Sequence, residues 1–187
     1  MNIAIFASGS GTNAENIIKY FSDSKTHNIS FVLSNKKDAF VLERAKKLGV
    51  SSIYSTKDEL NNKDFLLSLL NKNNIDLIVL AGYLKLIPEF LIEAYPNKII
   101  NIHPALLPKY GGKGMYGMNV HKAVVKNKEQ ETGITVHYVN AKYDDGLIIA
   151  QYKCRLSKSD SPDEVAKKIH SLEMNNFPQI IESILSE

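Results

Sequence analysis

The sequence predicts an α/β protein: a doubly wound, mostly parallel sheet, followed by a β-hairpin and a long C-terminal helix. Three observations predict it. Short apolar runs alternate with longer amphipathic stretches through the first half of the chain. Runs such as Leu77-Ile78-Val79-Leu80 carry no polar alternation, so both faces of those strands are covered, as helices cover a parallel sheet. In the second half, Thr135 to Val139 and part of Leu147 to Tyr152 change to a period of two, the pattern of paired antiparallel strands.

The elements follow in order. Ile3 to Ala7 reads as the first strand. Thr12 to Phe21 reads as a helix, with Ala14, Ile17, Ile18 and Phe21 at helical spacing. Ile29 to Ser34 is the second strand. Ala39 to Leu48 is a helix ended by Gly49, a residue free to take the left-handed conformation past a helix end. Ser52 to Tyr54 is a brief strand. Lys57 to Asn71 reads as one helix with Leu60, Phe65, Leu66, Leu69 and Leu70 on its apolar side. Leu77 to Leu80 is a buried strand, Glu89 to Ala94 a short helix, and Ile99-Ile100 a further strand. After Pro108 comes the glycine-rich stretch Tyr110-Gly111-Gly112-Lys113-Gly114, then a helix from Met118 to Lys126. The two period-two strands pair across Asp144-Asp145-Gly146. The last helix runs from Ser161 to about Ile184, capped by Ser161, Pro162 and Glu164. Pro178 is expected to kink or interrupt it.

Composition sets bounds. A chain of 187 residues suits one domain, here residues 1–187 with halves 1–100 and 101–187. A net charge of +3 and a pI of about 8.8 fall short of the basic bias of a nucleic-acid binder. Cys154 is the single cysteine, so no intrachain disulfide forms and a reducing compartment is expected. Met1 to Phe6 reads as a strand, without the basic start and longer apolar run of a leader. No segment approaches the roughly 18 apolar residues of a membrane span. A cytoplasmic protein is expected, a monomer or weak homodimer with no nucleic-acid or membrane partner.

The most informative segment is Asn101-Ile102-His103-Pro104-Ala105-Leu106-Leu107-Pro108. It places an amide and an imidazole at the carboxyl end of a buried strand, where open α/β folds put their chemistry. An amide donates to a developing oxyanion, and an imidazole moves protons near neutral pH. The prolines stop the strand and stiffen the loop behind it. Taken alone, the pair reads more readily as a strand end capped by Asn with His satisfied by backbone; the longer pattern around it shifts the reading toward chemistry.

Ser8-Gly9-Ser10-Gly11-Thr12-Asn13 leaves the first strand and opens a helix. Glycines admit close backbone approach, and a helix start presents N–H groups and a positive dipole end to an anion. The segment lacks the Gly-Lys-Ser/Thr ending of a Walker loop. A dinucleotide fingerprint would place its third glycine at Ala14, and no acid ends the second strand, where Ser34-Asn35 stand. A phosphate cradle and a plain tight turn both fit. Asp144 is either part of a hairpin turn or, folded back, a partner that orients His103. Glu173, with apolar neighbours on the last helix, faces either inward or solvent. His121 on a helix and His137 in a strand read as structural. The five histidines form no metal-binding helix motif, and no metal is expected.

Together, Met1 to Asn13, Ser34 to Phe40, Leu80 to Lys85, Asn101 to Tyr110, Gly133 to His137, Asp144 and Glu173 to Pro178 resemble, in order and spacing, the phosphoribosylglycinamide formyltransferases of purine synthesis. The resemblance spans essentially the whole chain. It implies a Rossmann-like formyltransferase fold and transfer of a formyl group from 10-formyltetrahydrofolate to glycinamide ribonucleotide. It implies that Asn101, His103 and Asp144 are catalytic, and that Gly11, Thr12, Asn13 and Glu173 bind the ribonucleotide. It further implies that Leu84, Lys85, Leu86 and Ile87 line the folate pocket, with Asn140, Ala141, Lys142, Tyr143 and Asp144 flanking it and Lys63 in place of a family arginine. Formyltetrahydrofolate hydrolase and methionyl-tRNA formyltransferase look similar around Asn101 to Pro108 and stand as alternatives. So does a non-catalytic nucleotide-binding module on the same fold.

Overall fold

The computed structural model describes residues 1–186. The chain divides into two compact units, one up to Asn101 and one from Ile102.

The first unit is built on parallel strands β1 (Asn2–Phe6), β2 (Asn28–Ser34), β3 (Ser51–Tyr54), β4 (Ile75–Leu80) and β5 (Ile99–His103), the last of which runs into the second unit. Their spatial order is β3-β2-β1-β4-β5. Every registered pair among them is parallel. Ile3, Ala4, Ile5, Val32, Leu33, Ile78, Val79 and Ile100 have no exposed surface, which is why these strands read as continuous apolar runs. The chain builds outward from β1 in one direction through β2 and β3, then in the other through β4 and β5. With right-handed crossovers this reversal places helices on both faces and opens a crevice at the carboxyl ends of β1 and β4.

The helices of this unit are α1 (Thr12–Phe21), α2 (Phe40–Lys47), α3 (Lys57–Asn61), α4 (Lys63–Lys72) and α5 (Glu89–Ala94). The single helix expected over Lys57 to Asn71 is two. Asn62 leaves helical geometry at φ −85°, ψ 110°, closes α3 and caps α4, its side chain accepting from Phe65 N–H. An Asn side chain offers the backbone this alternative to continued helix, and the apolar spacing across the break conceals it.

The second unit pairs β6 (Glu131–Tyr138) with β7 (Ile148–Arg155), antiparallel and with a bulge between Val136 and His137. Helices α6 (Met118–Lys126) and α7 (Pro162–Leu185) complete it. The core combines Ile134 and Val136 with Val120, Val124, Val165, Ile169, Phe177 and Ile181. Ser161 and Glu164 form the expected reciprocal cap of α7. Pro178 does not interrupt that helix, which continues to Leu185. Phe177, Ile180 and Ile181 are buried around the proline, and that packing offsets the roughly 3 kcal/mol by which proline disfavours a helix interior. Among the described residues no helix is long and apolar enough to cross a membrane.

Candidate active site

β5 delivers the first polar pair. Asn101 and His103 are alternate residues of one strand, so their side chains leave it on the same side. His103 is buried at 3% exposure. Its Nε2–H donates to the Tyr110 carbonyl at 2.8 Å. Its Nδ1 lies 3.4 Å from Asp144 Oδ1. A carbonyl and a carboxylate can only accept, so both contacts are favourable together when the ring carries two N–H groups.

Asp144 comes from the connection between β6 and β7, at a left-handed φ of 53°. It lies in the long connection 139–147, not in a simple two-residue turn, and its carboxylate folds back to His103. Its Oδ1 is also 3.7 Å from His137 Nε2, and its Oδ2 accepts from Gly112 N–H at 2.9 Å. Burial works against the carboxylate. The hydrogen bonds from His103 and His137, the His103 charge and the Gly112 amide outweigh it and hold the carboxyl well below the usual range.

Close packing fixes this arrangement. A Cβ at Gly111 would come within 2.6 Å of Leu107 Cδ2 and 3.2 Å of Asp144 Cβ. Only glycine lets the loop lie against Asp144. The loop following His103 is held by Thr135, a fully buried residue on β6. Its hydroxyl donates to the Ala105 carbonyl at 2.7 Å and accepts from Leu107 N–H at 3.0 Å.

In the first unit the loops after β1 and β4 carry two further groups of candidates, Gly11 to Asn13 and Leu84 to Ile87. Ser8, 1% exposed, ties the two loops together. Its N–H donates to the Gly82 carbonyl at 3.0 Å. Its hydroxyl donates to Asn35 Oδ1 at 2.6 Å and accepts from Leu84 N–H at 3.0 Å. The loop of Gly11, Thr12 and Asn13 and the segment Leu84 to Ile87 therefore share one polar hinge. Asn35, where a dinucleotide binder would carry an acid, serves that hinge. Gly11 has a φ of 78° and no side chain capping α1. Leu84 and Leu86 are exposed while Ile87 is buried.

The remaining candidates are placed as follows. Glu173 is half-buried on α7, 3.7 Å from His170 Nδ1. Ala141, Lys142 and Tyr143 are exposed and Asn140 is half-buried, with Asn140 Oδ1 accepting from Lys142 N–H. Lys63 is exposed at the first position of α4. Three contributors escape sequence reading: the His137 ring, the Tyr110 carbonyl and the Gly112 amide. The two backbone groups leave no signal in a residue string. His137 lies on a strand buried on both faces, so the period-two pattern read from Thr135 to Val139 does not mark its direction.

A model of the formyl transferase family matches residues 1–181. The chain belongs to the formyl transferase family. Within this family it is similar to the phosphoribosylglycinamide formyltransferase of Arabidopsis thaliana chloroplasts, at 39% identity over 99% of this chain and 65% of that protein. It is likewise similar to the phosphoribosylglycinamide formyltransferase of Haemophilus influenzae, at 36% identity over 96% of this chain and 84% of that one. Among solved structures, the phosphoribosylglycinamide formyltransferase of Streptococcus pneumoniae TIGR4 aligns with a TM-score of 0.86 at 34% identity, covering 98% of both chains. The chain spans 65% and 61% of the length of the two plant relatives it matches. The family read from the sequence motifs and the α/β fold expected with it are the ones found.

Proposed function

We propose that this formyl transferase moves the formyl group of 10-formyltetrahydrofolate to the amine of 5′-phosphoribosylglycinamide, giving formylglycinamide ribonucleotide for purine synthesis. The observation that carries the reading is the contact of Asp144 with His103 at the end of β5, with Asn101 on the same side of the strand. The folate supplies an activated formyl group and a nitrogen leaving group. Leu84, Leu86 and Ile87 would take its ring; Lys85, Lys63 and residues 140–144 are assigned to the folate by the family resemblance. Gly11, Thr12 and Asn13 would receive the ribonucleotide phosphate at the start of α1, and Glu173 would bind elsewhere on the same molecule.

The chemistry assigned to each residue follows from its donors. The amine attacks as a free base, and negative charge develops on the formyl oxygen. The Asn101 amide N–H donates to that oxygen. His103, whose Nδ1 lies 3.4 Å from Asp144, would in its protonated form add charge-assisted stabilisation of that oxygen. Asp144 orients the ring and balances its charge. The proton of the attacking amine passes to the leaving folate nitrogen. No covalent enzyme intermediate is needed.

The test follows folate deformylation by absorbance, with and without the ribonucleotide. Deformylation that requires the ribonucleotide is expected. Deformylation without it would favour the hydrolase reading. No reaction, with nucleotide binding retained, would favour a binding module.

A further inference from the structure

We infer that Arg44 is a positioning residue for the phosphate loop, and that it acts by neutralising Glu15, an acid in the first turn of α1. The inference rests on reading Gly11 to Asn13 as the phosphate cradle. Helix α2 braces the loop. Val41 N–H donates to the Gly9 carbonyl at 3.2 Å. The Val41 side chain fills the space that a Cβ on Gly11 would need, at 2.3 Å. Arg44, one turn further on, closes the brace. Its Nε–H donates to the Ser10 carbonyl at 2.8 Å, its guanidinium pairs with the Glu15 carboxylate, and it stacks over the Phe40 ring at 4.8 Å.

The charge at Glu15 makes this contact matter. The start of a helix favours an anion within its first turn. Glu15 is such an anion, and its N–H is bonded to the Gly11 carbonyl at 2.9 Å, so it sits one turn from the loop. Left uncompensated, it would occupy the dipole and repel an incoming phosphate. Lys19, at 2.6 Å, and Arg44 offset it, and their hydrogen bonds hold the Glu15 carboxyl below its usual range. Lys19 touches Glu15 from its own helix. Arg44 joins that carboxylate to the loop backbone itself. A planar guanidinium holds a carbonyl and a carboxylate in one fixed geometry, which an ammonium does not reproduce.

The experiment compares binding of glycinamide ribonucleotide and of its dephosphorylated riboside by calorimetry. It uses the wild type, Arg44→Gln, Glu15→Gln and the double variant. In the wild type the ribonucleotide is expected to bind more tightly than the riboside. Arg44→Gln is expected to cut that preference about tenfold, the scale of one uncompensated charge near a surface, and to raise KM for the ribonucleotide with little change in kcat. Adding Glu15→Gln should restore the preference to within about threefold of wild type, because the repelling charge is gone. An Arg44→Gln preference equal to wild type would overturn the inference and leave the phosphate reading intact. A loss that Glu15→Gln does not relieve would overturn the charge mechanism. Equal wild-type affinity for ribonucleotide and riboside would overturn the phosphate reading and the inference with it.

Discussion

Asp144, 41 residues from His103 in sequence, places its Oδ1 3.4 Å from His103 Nδ1. The carboxylate is not a lone partner. His137 approaches the same oxygen, and the Gly112 amide holds the other one. Asp144→Asn keeps the shape and removes the charge, and an amide can turn a donor toward His103. The expected result is a kcat lower by about 10²–10³, the range for losing one oriented transition-state interaction, with KM for the ribonucleotide near wild type. Steady-state kinetics on both substrates checks it. A kcat within about threefold of wild type would remove Asp144 from the mechanism.

The same carboxylate makes acid stability a separate test. Its folded pKa lies below the unfolded value of about 3.9. The unfolded chain therefore binds the proton more readily, and Asp144 contributes stability that is full above the unfolded pKa and is lost as pH falls toward the folded one. Urea unfolding at neutral pH should show Asp144→Asn less stable by about 1–3 kcal/mol, the scale of a charged hydrogen bond. That gap should shrink as pH falls below about 5, since only the wild type loses the Asp144 charge there. A gap that widens between about pH 5 and about pH 3 would contradict the assignment.

The sequence made some of this arrangement legible and hid the rest for definable reasons. The parallel strands were readable because burial on both faces leaves unbroken apolar runs such as Leu77 to Leu80. The Asn101 to Pro108 segment was readable because chemistry at a strand end needs particular side chains at fixed spacing. The break at Asn62 was hidden because apolar spacing continues across it. The continuity of α7 through Pro178 was hidden because packing, and not local preference, decides it. The contact of Asp144 with His103 depends on the path of residues 139–147, and no local pattern encodes a loop's direction. The Tyr110 and Gly112 contacts are made by backbone atoms that every residue carries.

Gly111→Ala tests whether packing sets the position of Asp144. The new Cβ would stand 2.6 Å from Leu107 Cδ2 and 3.2 Å from Asp144 Cβ. Leu107 is buried at 6% exposure and has little room to yield, so the carboxylate must shift. Stability should fall by about 1–3 kcal/mol, as for other overpacked sites, and kcat should fall about tenfold or more, since sub-ångström misplacement weakens oriented contacts. Gly49→Ala is the control. Gly49 has a φ of 74° with nothing near its Cβ position. It should lose about 1 kcal/mol to backbone strain with kcat unchanged. Equal kcat losses in both variants would mean that general destabilisation, and not Asp144, is being read.

Thr135 offers the last test, because it touches no reacting group and yet holds the loop behind His103. Its hydroxyl donates to the Ala105 carbonyl, accepts from Leu107 N–H, and lies 2.9 Å from the Gln151 amide nitrogen. Thr135→Val keeps the shape and leaves the Ala105 carbonyl and the Leu107 amide without that partner. Each orphaned buried group costs about 1–3 kcal/mol, so urea unfolding should show a loss of about 2–6 kcal/mol. Thr135→Ser keeps the hydroxyl and should stay within about 1.5 kcal/mol of wild type, the cost of one methyl group. If the hydroxyl also fixes the strand end, kcat should drop in the Val variant and recover in the Ser variant, measured at a temperature where both are folded. Parallel losses in the two variants would assign Thr135 to methyl packing and remove its hydroxyl from the support of His103.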